Sequence, residues 1–233
     1  MDFLDAIKTR RSVRAYTPQP IEGAALTKLR AAIDEANAES GLDMQLVLGK
    51  PDALARCRAQ YGTFAGMANF IALVGPDDAE LDEKCGYYGE HVVLAAKCAG
   101  LDTCWIAFSW RNDVQLLHVR PGQRLVCAIA VGYAAQPGVD RRRNSVEALC
   151  TVDGFHPSST KDLPRWFLAG MEAARLAPTA MHQQAFCVDW RADEPDHARI
   201  RALGGPMANV DLGIVRYHFE AGADSTGQPW EWA

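Results

Sequence analysis

No C-x-x-C pair occurs in this chain of 233 residues, although it has seven cysteines. They stand at positions 57, 85, 98, 104, 127, 150 and 187, odd in number and scattered. Zinc sites need close ligand pairs and disulfide frameworks belong to short secreted chains, so neither is expected. Cysteines set in apolar runs, as in Leu125-Val126-Cys127-Ala128-Ile129 and Phe186-Cys187-Val188, read as small buried hydrophobes. Long apolar runs are also missing: the longest reach about ten residues, too short to span a bilayer. The start, Met1-Asp2-Phe3-Leu4-Asp5, has no basic n-region and no apolar core, so a cytoplasmic protein without a secretory signal is expected. A basic excess is lacking too. The 24 Lys and Arg face 29 Asp and Glu, a net charge of -5, which argues against a general nucleic-acid binder. There is no G-x-G-x-x-G, hence no Rossmann nicotinamide domain, and Ser12, Ser109, Ser145, Ser158 and Ser159 all lack a G-x-S-x-G setting. No protein nucleophile is expected. His91, His118, His156, His197 and His218 read as structural or surface residues.

What is present is an ordinary globular composition, 48% hydrophobic and 23% charged, long enough for one large domain or two small ones. Residues 23–40 carry Leu26, Leu29, Ile33 and Ala36 at helical spacing, and Gly41 fits the stop. Strands are expected at 44–48, 69–74, 124–131 and 185–191. Helices are expected at 52–60, 79–99, 112–118, 164–176, 194–203 and 207–221. The stretch 134–162, with Pro137, Gly138, Gly154 and Pro157, reads as a connector, and the tail 228–233 as aromatic and irregular. Helices and strands alternate without a uniform unit, so the class is α+β.

The most informative run is Lys8-Thr9-Arg10-Arg11-Ser12-Val13-Arg14-Ala15-Tyr16. Three guanidiniums and a hydroxyl within five residues suit an anion such as a cofactor phosphate, because arginine binds phosphate and carbonyl oxygens in planar, bidentate fashion. The run continues into Tyr16-Thr17-Pro18-Gln19-Pro20-Ile21, and R-R-S-V-R-x-Y-x-P-x-P-I resembles the N-terminal signature of the FMN-dependent nitroreductase family.

Further segments carry the resemblance. Residues 89–106 look like that family's central helix and its G-L-x-x-x-W-I turn, where backbone amides meet the flavin and Trp105, Ile106 and Ala107 would border it. Ala128-Ile129-Ala130-Val131-Gly132-Tyr133-Ala134 resembles the family's later I-x-x-G-Y-P strand. Arg141-Arg142-Arg143 follows where the family places basic residues on the phosphate, which makes Arg141 and Arg143 candidates. Ala177-Pro178-Thr179-Ala180-Met181-His182-Gln183-Gln184-Ala185-Phe186 resembles A-P-S-x-x-N-x-Q-P-W, which ordinary members carry early in the chain and use across their dimer interface. It departs from the pattern at His182, Ala185 and Phe186. By resemblance, the flavin site would hold Arg10, Arg11, Ser12, Arg14, Trp105, Ile106, Ala107, Arg141, Arg143, Pro178, Thr179, His182 and Gln184.

The late position of this motif, with a helix before it and a strand and helix after it, parallels the layout of 26–100. The expectation is a nitroreductase-like fold, a central mixed sheet flanked by helices, with an abbreviated internal repeat. Residues 1–135 would form the first half, 136–163 the connector, and 164–233 a second half replacing the partner subunit. One retained R-R-S-x-R run implies a monomer with one FMN per chain. The implied activity is transfer of electrons from NAD(P)H to a nitroaromatic, quinone or similar acceptor by a ping-pong mechanism, with no membrane or nucleic-acid partner. The alternative is a protein that sequesters or senses FMN with little turnover.

Overall fold

A computed structural model describes residues 1–51, 64–107 and 116–233. Helix α1 (Phe3–Thr9) begins at Asp2, whose carboxylate accepts the Asp5 N–H. Helix α2 (Gly23–Ser40) buries Leu29, Ala32, Ile33 and Ala36 along one face and ends at Gly41, which takes the left-handed conformation at φ 73°. Asn37 then bonds both backbone groups of Met44, aligning the helix with the strand that follows. The expected helix at 52–60 lies outside the described residues, as does most of that at 112–118.

Strands β1 (Gln45–Val47), β2 (Phe70–Pro76), β3 (Asp102–Ile106) and β4 (Gln123–Gly132) form one antiparallel sheet in the order β1-β2-β4-β3. Alternation of side chains assigns its two faces. Ile71, Leu73, Ile129 and Val131 face helix α3 (Leu81–Cys98) and the main core. Phe70, Ala72, Val74, Ala128 and Ala130 face the opposite way, onto Val13 and Tyr16 of the N-terminal arm. The segment expected as a turn at 101–106 is the edge strand β3, because Thr103–Ile106 pair in register with Ala128–Val131. The arm runs beside it, with Val13 N–H donating to Thr103 O at 3.0 Å.

A second sheet, β5 (Cys150–Val152), β6 (Phe186–Arg191), β7 (Glu194–Ala202) and β8 (Glu231–Trp232), is mixed. The α+β class holds, with two four-stranded sheets among the described residues in place of one central sheet. Three sequence readings are corrected here. Residues 194–202 are a strand, since the short link after Arg191 folds them back as a hairpin on β6 and Ala198 is buried. The connector contributes α4 (Val146–Leu149) and β5 to this layer. The tail pairs with β7 and stacks Trp230 on Trp166 of α5 (Arg165–Ala174).

Helix α6 (Ala208–Asp224) packs on both α5 and α3. Its contact with α3 is reciprocal. A Cβ on Gly86 would collide with Val210 O and press on Ile214 N; a Cβ on Gly213 would collide with Glu83 O and press on Tyr87 N. Glu83, Gly86 and Tyr87 thus stand on α3 as Val210, Gly213 and Ile214 stand on α6. One turn on, the relation repeats. His91 Nδ1 meets Tyr217 OH at 2.9 Å, and His218 Nε2 meets Glu90 Oε1 at 2.9 Å. Each helix presents to the other what it receives, as isologous surfaces do. One buried cluster runs from Leu29 and Ile71 through Val93 to Phe167 and Phe219, so both sheets share a core.

Candidate functional site

A cleft opens where the N-terminal arm, the end of β3, the 139–143 loop, the 176–182 loop and the start of α6 converge. Measured out to open solvent it holds about 1080 Å³. Its construction follows from the elements just described. The pairing of the arm with β3 lays Arg10, Arg11, Ser12 and Arg14 beside Cys104, Trp105, Ile106 and Ala107. Helix α5 ends at Ala174, capped by Arg175, and delivers Leu176 through His182 to the opposite wall.

Arg10 is the innermost cation, only 7% exposed. Its guanidinium makes long contacts, 3.4 Å to Leu176 O and 3.4 Å to Ser12 Oγ, and its Nε–H has no partner among the described residues. The Arg14 Nε–H is likewise unpaired among the described residues, and Arg14 reaches Ser12 O only at 3.5 Å. Arg11 and Arg143 are already engaged, both pairing with Asp140, at 3.1 and 2.8 Å. Burial lowers the pKa of Arg10, opposed by the charge of Glu90. Burial raises that of the Cys104 thiol, tempered by Arg14 and Arg10.

The 179–184 loop is tightly wound. Met181, His182 and Gln184 all have positive φ, which side chains rarely adopt outside constrained sites. Thr179 Oγ1 accepts the Gln184 N–H at 3.0 Å, and His182 Nε2 donates to Arg142 O at 2.8 Å, tying the loop to the 139–143 segment. Asp211 anchors it from α6: both carboxylate oxygens accept the Ala180 N–H, and Oδ2 also accepts from Gln183 Nε2 at 2.8 Å. Burial pushes the Asp211 carboxyl up to about 6, against the opposing pull of those hydrogen bonds.

Twelve of the thirteen residues named from sequence line this one cleft: Arg10, Arg11, Ser12, Arg14, Trp105, Ile106, Ala107, Arg141, Arg143, Pro178, Thr179 and His182. Gln184 does not. It is buried behind the loop, its amide accepting from Asn144 N–H and donating to Arg175 O. Ala107, directly after β3, does not have positive φ. Sequence reasoning missed Asp211, Met181, Met207, Val210 and Ile214 on the same walls. The available signal was Asp211 itself, a lone carboxylate between Val210, Leu212 and Ile214 in the first turn of a helix.

Residues 2–223 match the family model described as "Putative TM nitroreductase". The chain belongs to this nitroreductase family. Among solved structures, the chain resembles one described as a nitroreductase of Thermotoga maritima, with TM-score 0.67 and 20% identity over 99% of this chain and 87% of the other. It also resembles an FMN-dependent nitroreductase of Clostridium difficile R20291, with TM-score 0.50 and 21% identity over 60% of this chain and 91% of that one. A Desulfovibrio desulfuricans nitroreductase in complex with FMN gives TM-score 0.50 and 23% identity, covering 64% of this chain and 95% of that one. These likenesses show the fold. No curated protein matches the chain.

Proposed function

We propose that the cleft holds FMN and that this chain passes electrons from NAD(P)H to a nitroaromatic, quinone or similar electron-poor acceptor. The observation that carries the reading is the convergence of Arg10, Arg11, Ser12 and Arg14 in one cleft, with the buried Nε–H donors of Arg10 and Arg14 unpaired among the described residues. A buried charged donor left unsatisfied costs several kcal/mol at most sites, and a phosphate or carbonyl oxygen removes that cost. Related structures described as FMN-dependent or bound to FMN support the identity of the ligand.

Arg10 and Arg14 would hold the phosphate and the pyrimidine edge, with Ser12 Oγ as a further donor. Arg141 and Arg143 add positive potential, and Trp105 and Ile106 offer a wall for a planar ring. Pro178, Thr179 and His182 close the opposite side and restrict water. When bound, FMN supplies two-electron chemistry in ping-pong order, which asks for no protein nucleophile.

The reading extends to residues 164–233 as a stand-in for a partner subunit, giving one FMN per chain and a monomer. The reciprocal packing of Gly86 and Gly213 supports it. So does the near-complete coverage of two other nitroreductase chains by 60% and 64% of this one. A cofactor between two walls gains from covalent linkage, because the second wall is always at high effective concentration.

The test combines an absorbance spectrum of the purified protein, at about 350–500 nm where bound flavin absorbs, with steady-state oxidation of NADH or NADPH using menadione or nitrofurazone. Bound FMN with turnover is expected. FMN bound without turnover replaces the enzyme reading by one of sequestration or sensing, and failure to take up FMN overturns both.

A further inference from the structure

Trp105 is held from behind. Its Nε1–H donates to Glu90 Oε2 at 2.9 Å, and Glu90 is 0% exposed. The ring lies over Gly89 on the same helix, where a Cβ would press on the indole at 3.3 Å and nearer. The other Glu90 oxygen faces His218 Nε2 at 2.9 Å, and His218, also 0% exposed, meets Ala173 O through Nδ1 at 3.0 Å.

The proton count follows from these partners. A carbonyl oxygen only accepts, so His218 Nδ1 carries a hydrogen. The Nε2 to Oε1 contact then needs one proton, on either atom. The Glu90–His218 pair is therefore net neutral whichever side holds it, which is how a carboxyl group can lie fully buried on a helix that also buries Val92, Val93 and Leu94. The links run from α6, through α3, to the end of β3, where Trp105 lines the cleft.

We propose that Glu90 is a positioning residue that fixes the Trp105 indole as a wall of the cleft, and that His218 holds Glu90 in place. The link between Glu90 and FMN affinity rests on the FMN reading; the orientation of the indole does not. Glutamine at position 90 preserves both bonds: its carbonyl accepts from Trp105, and its amide donates to the neutral His218 Nε2. Leucine at 90 removes both.

The experiment observes indole N–H groups in the FMN-free chain by ¹⁵N-labelled tryptophan NMR. The chain has six tryptophans, and the cross-peak missing from Trp105→Phe identifies Trp105. That N–H is expected to exchange with solvent at least about tenfold more slowly in wild type and Glu90→Gln than in Glu90→Leu or His218→Leu, as loss of a buried hydrogen bond requires. The other indole signals report whether each variant folds. A Trp105 signal unmoved by Glu90→Leu or by His218→Leu overturns the proposal. FMN titration is the second arm. Glu90→Leu is expected to weaken binding about fivefold, the scale of one aromatic contact, and to have no further effect in the Trp105→Phe background. Equal weakening in both backgrounds also overturns it. If wild type takes up no FMN, the proposed function falls, while the indole measurement still decides the role of Glu90.

Discussion

Replacing Gly86 with alanine tests how α3 and α6 meet. In an ordinary helix interior this change is stabilising by about 1 kcal/mol, because glycine loses more backbone freedom on folding. Here the new Cβ would fall under 3.0 Å from both the carbonyl carbon and oxygen of Val210. Those atoms are backbone of a packed helix, so no side-chain rotation relieves the clash and the helix axes must move. Overpacking against side chains costs about 1–3 kcal/mol, and a backbone contact belongs at the upper end of that range. After the propensity gain, the expected net loss is about 2 kcal/mol or more. For a chain of this length each kcal/mol moves Tm by about 2–4 °C, so a fall of roughly 4–8 °C is expected. Gly213→Ala meets the Glu83 carbonyl in the same way and should cost a similar amount. One shift of the axes relieves both clashes, so the double variant should lose less than the sum. Urea denaturation followed by far-UV circular dichroism measures all three. A Gly86→Ala chain as stable as wild type would refute the close-approach argument, and strict additivity would refute the shared displacement.

Three other outcomes are expected. Arg10→Ala or Arg14→Ala should weaken FMN binding tenfold or more, since a charge-assisted contact contributes about 1.5–3 kcal/mol; unchanged affinity in the double variant, read by flavin fluorescence, rules out the anchoring role. The Asp211 carboxyl, at about 6 when folded against 3.8 normally, favours the fold fully below pH 3.8 and loses that contribution as pH rises through 6. Stability should therefore fall by up to about 3 kcal/mol across this window relative to Asp211→Asn, and parallel pH profiles of the two proteins would contradict the assignment. Light scattering with flavin quantitation should give one FMN on a single polypeptide; a dimer in which a second chain contributes to the FMN site would show that residues 164–233 do not replace a partner.

Legibility in the sequence tracked how local the cause was. The end of α2 was visible because Gly41 needs only its own backbone, and the cleft was visible because Arg10–Arg14 and Pro178–His182 are compact runs. Residues 194–202 were misread because Ala198, Ile200 and Ala202 alternate over too short a stretch, and β6 decides their fate. Strand β8 exists only through its pairing with β7. Gln184 belonged to the right loop, but positive φ turns its amide toward Asn144 and Arg175. Glu90 and His218 are 128 positions apart; one read as part of a helix and the other as a structural or surface residue, and only the meeting of the helices joins them.

The close contact of α3 with α6 also imposes a wait during synthesis. When Gly86 leaves the ribosome, the helix it must pack against has not been made. At ~5–20 residues per second, the intervening ~130 residues take on the order of 6–25 s. Throughout that interval the α3 surface around Gly86 lacks its cover, as does the Arg10 wall of the cleft, whose opposite side begins only at Leu176. A two-chain assembly would wait for a collision, at a rate set by concentration; this chain waits for its own elongation, a delay that dilution does not lengthen.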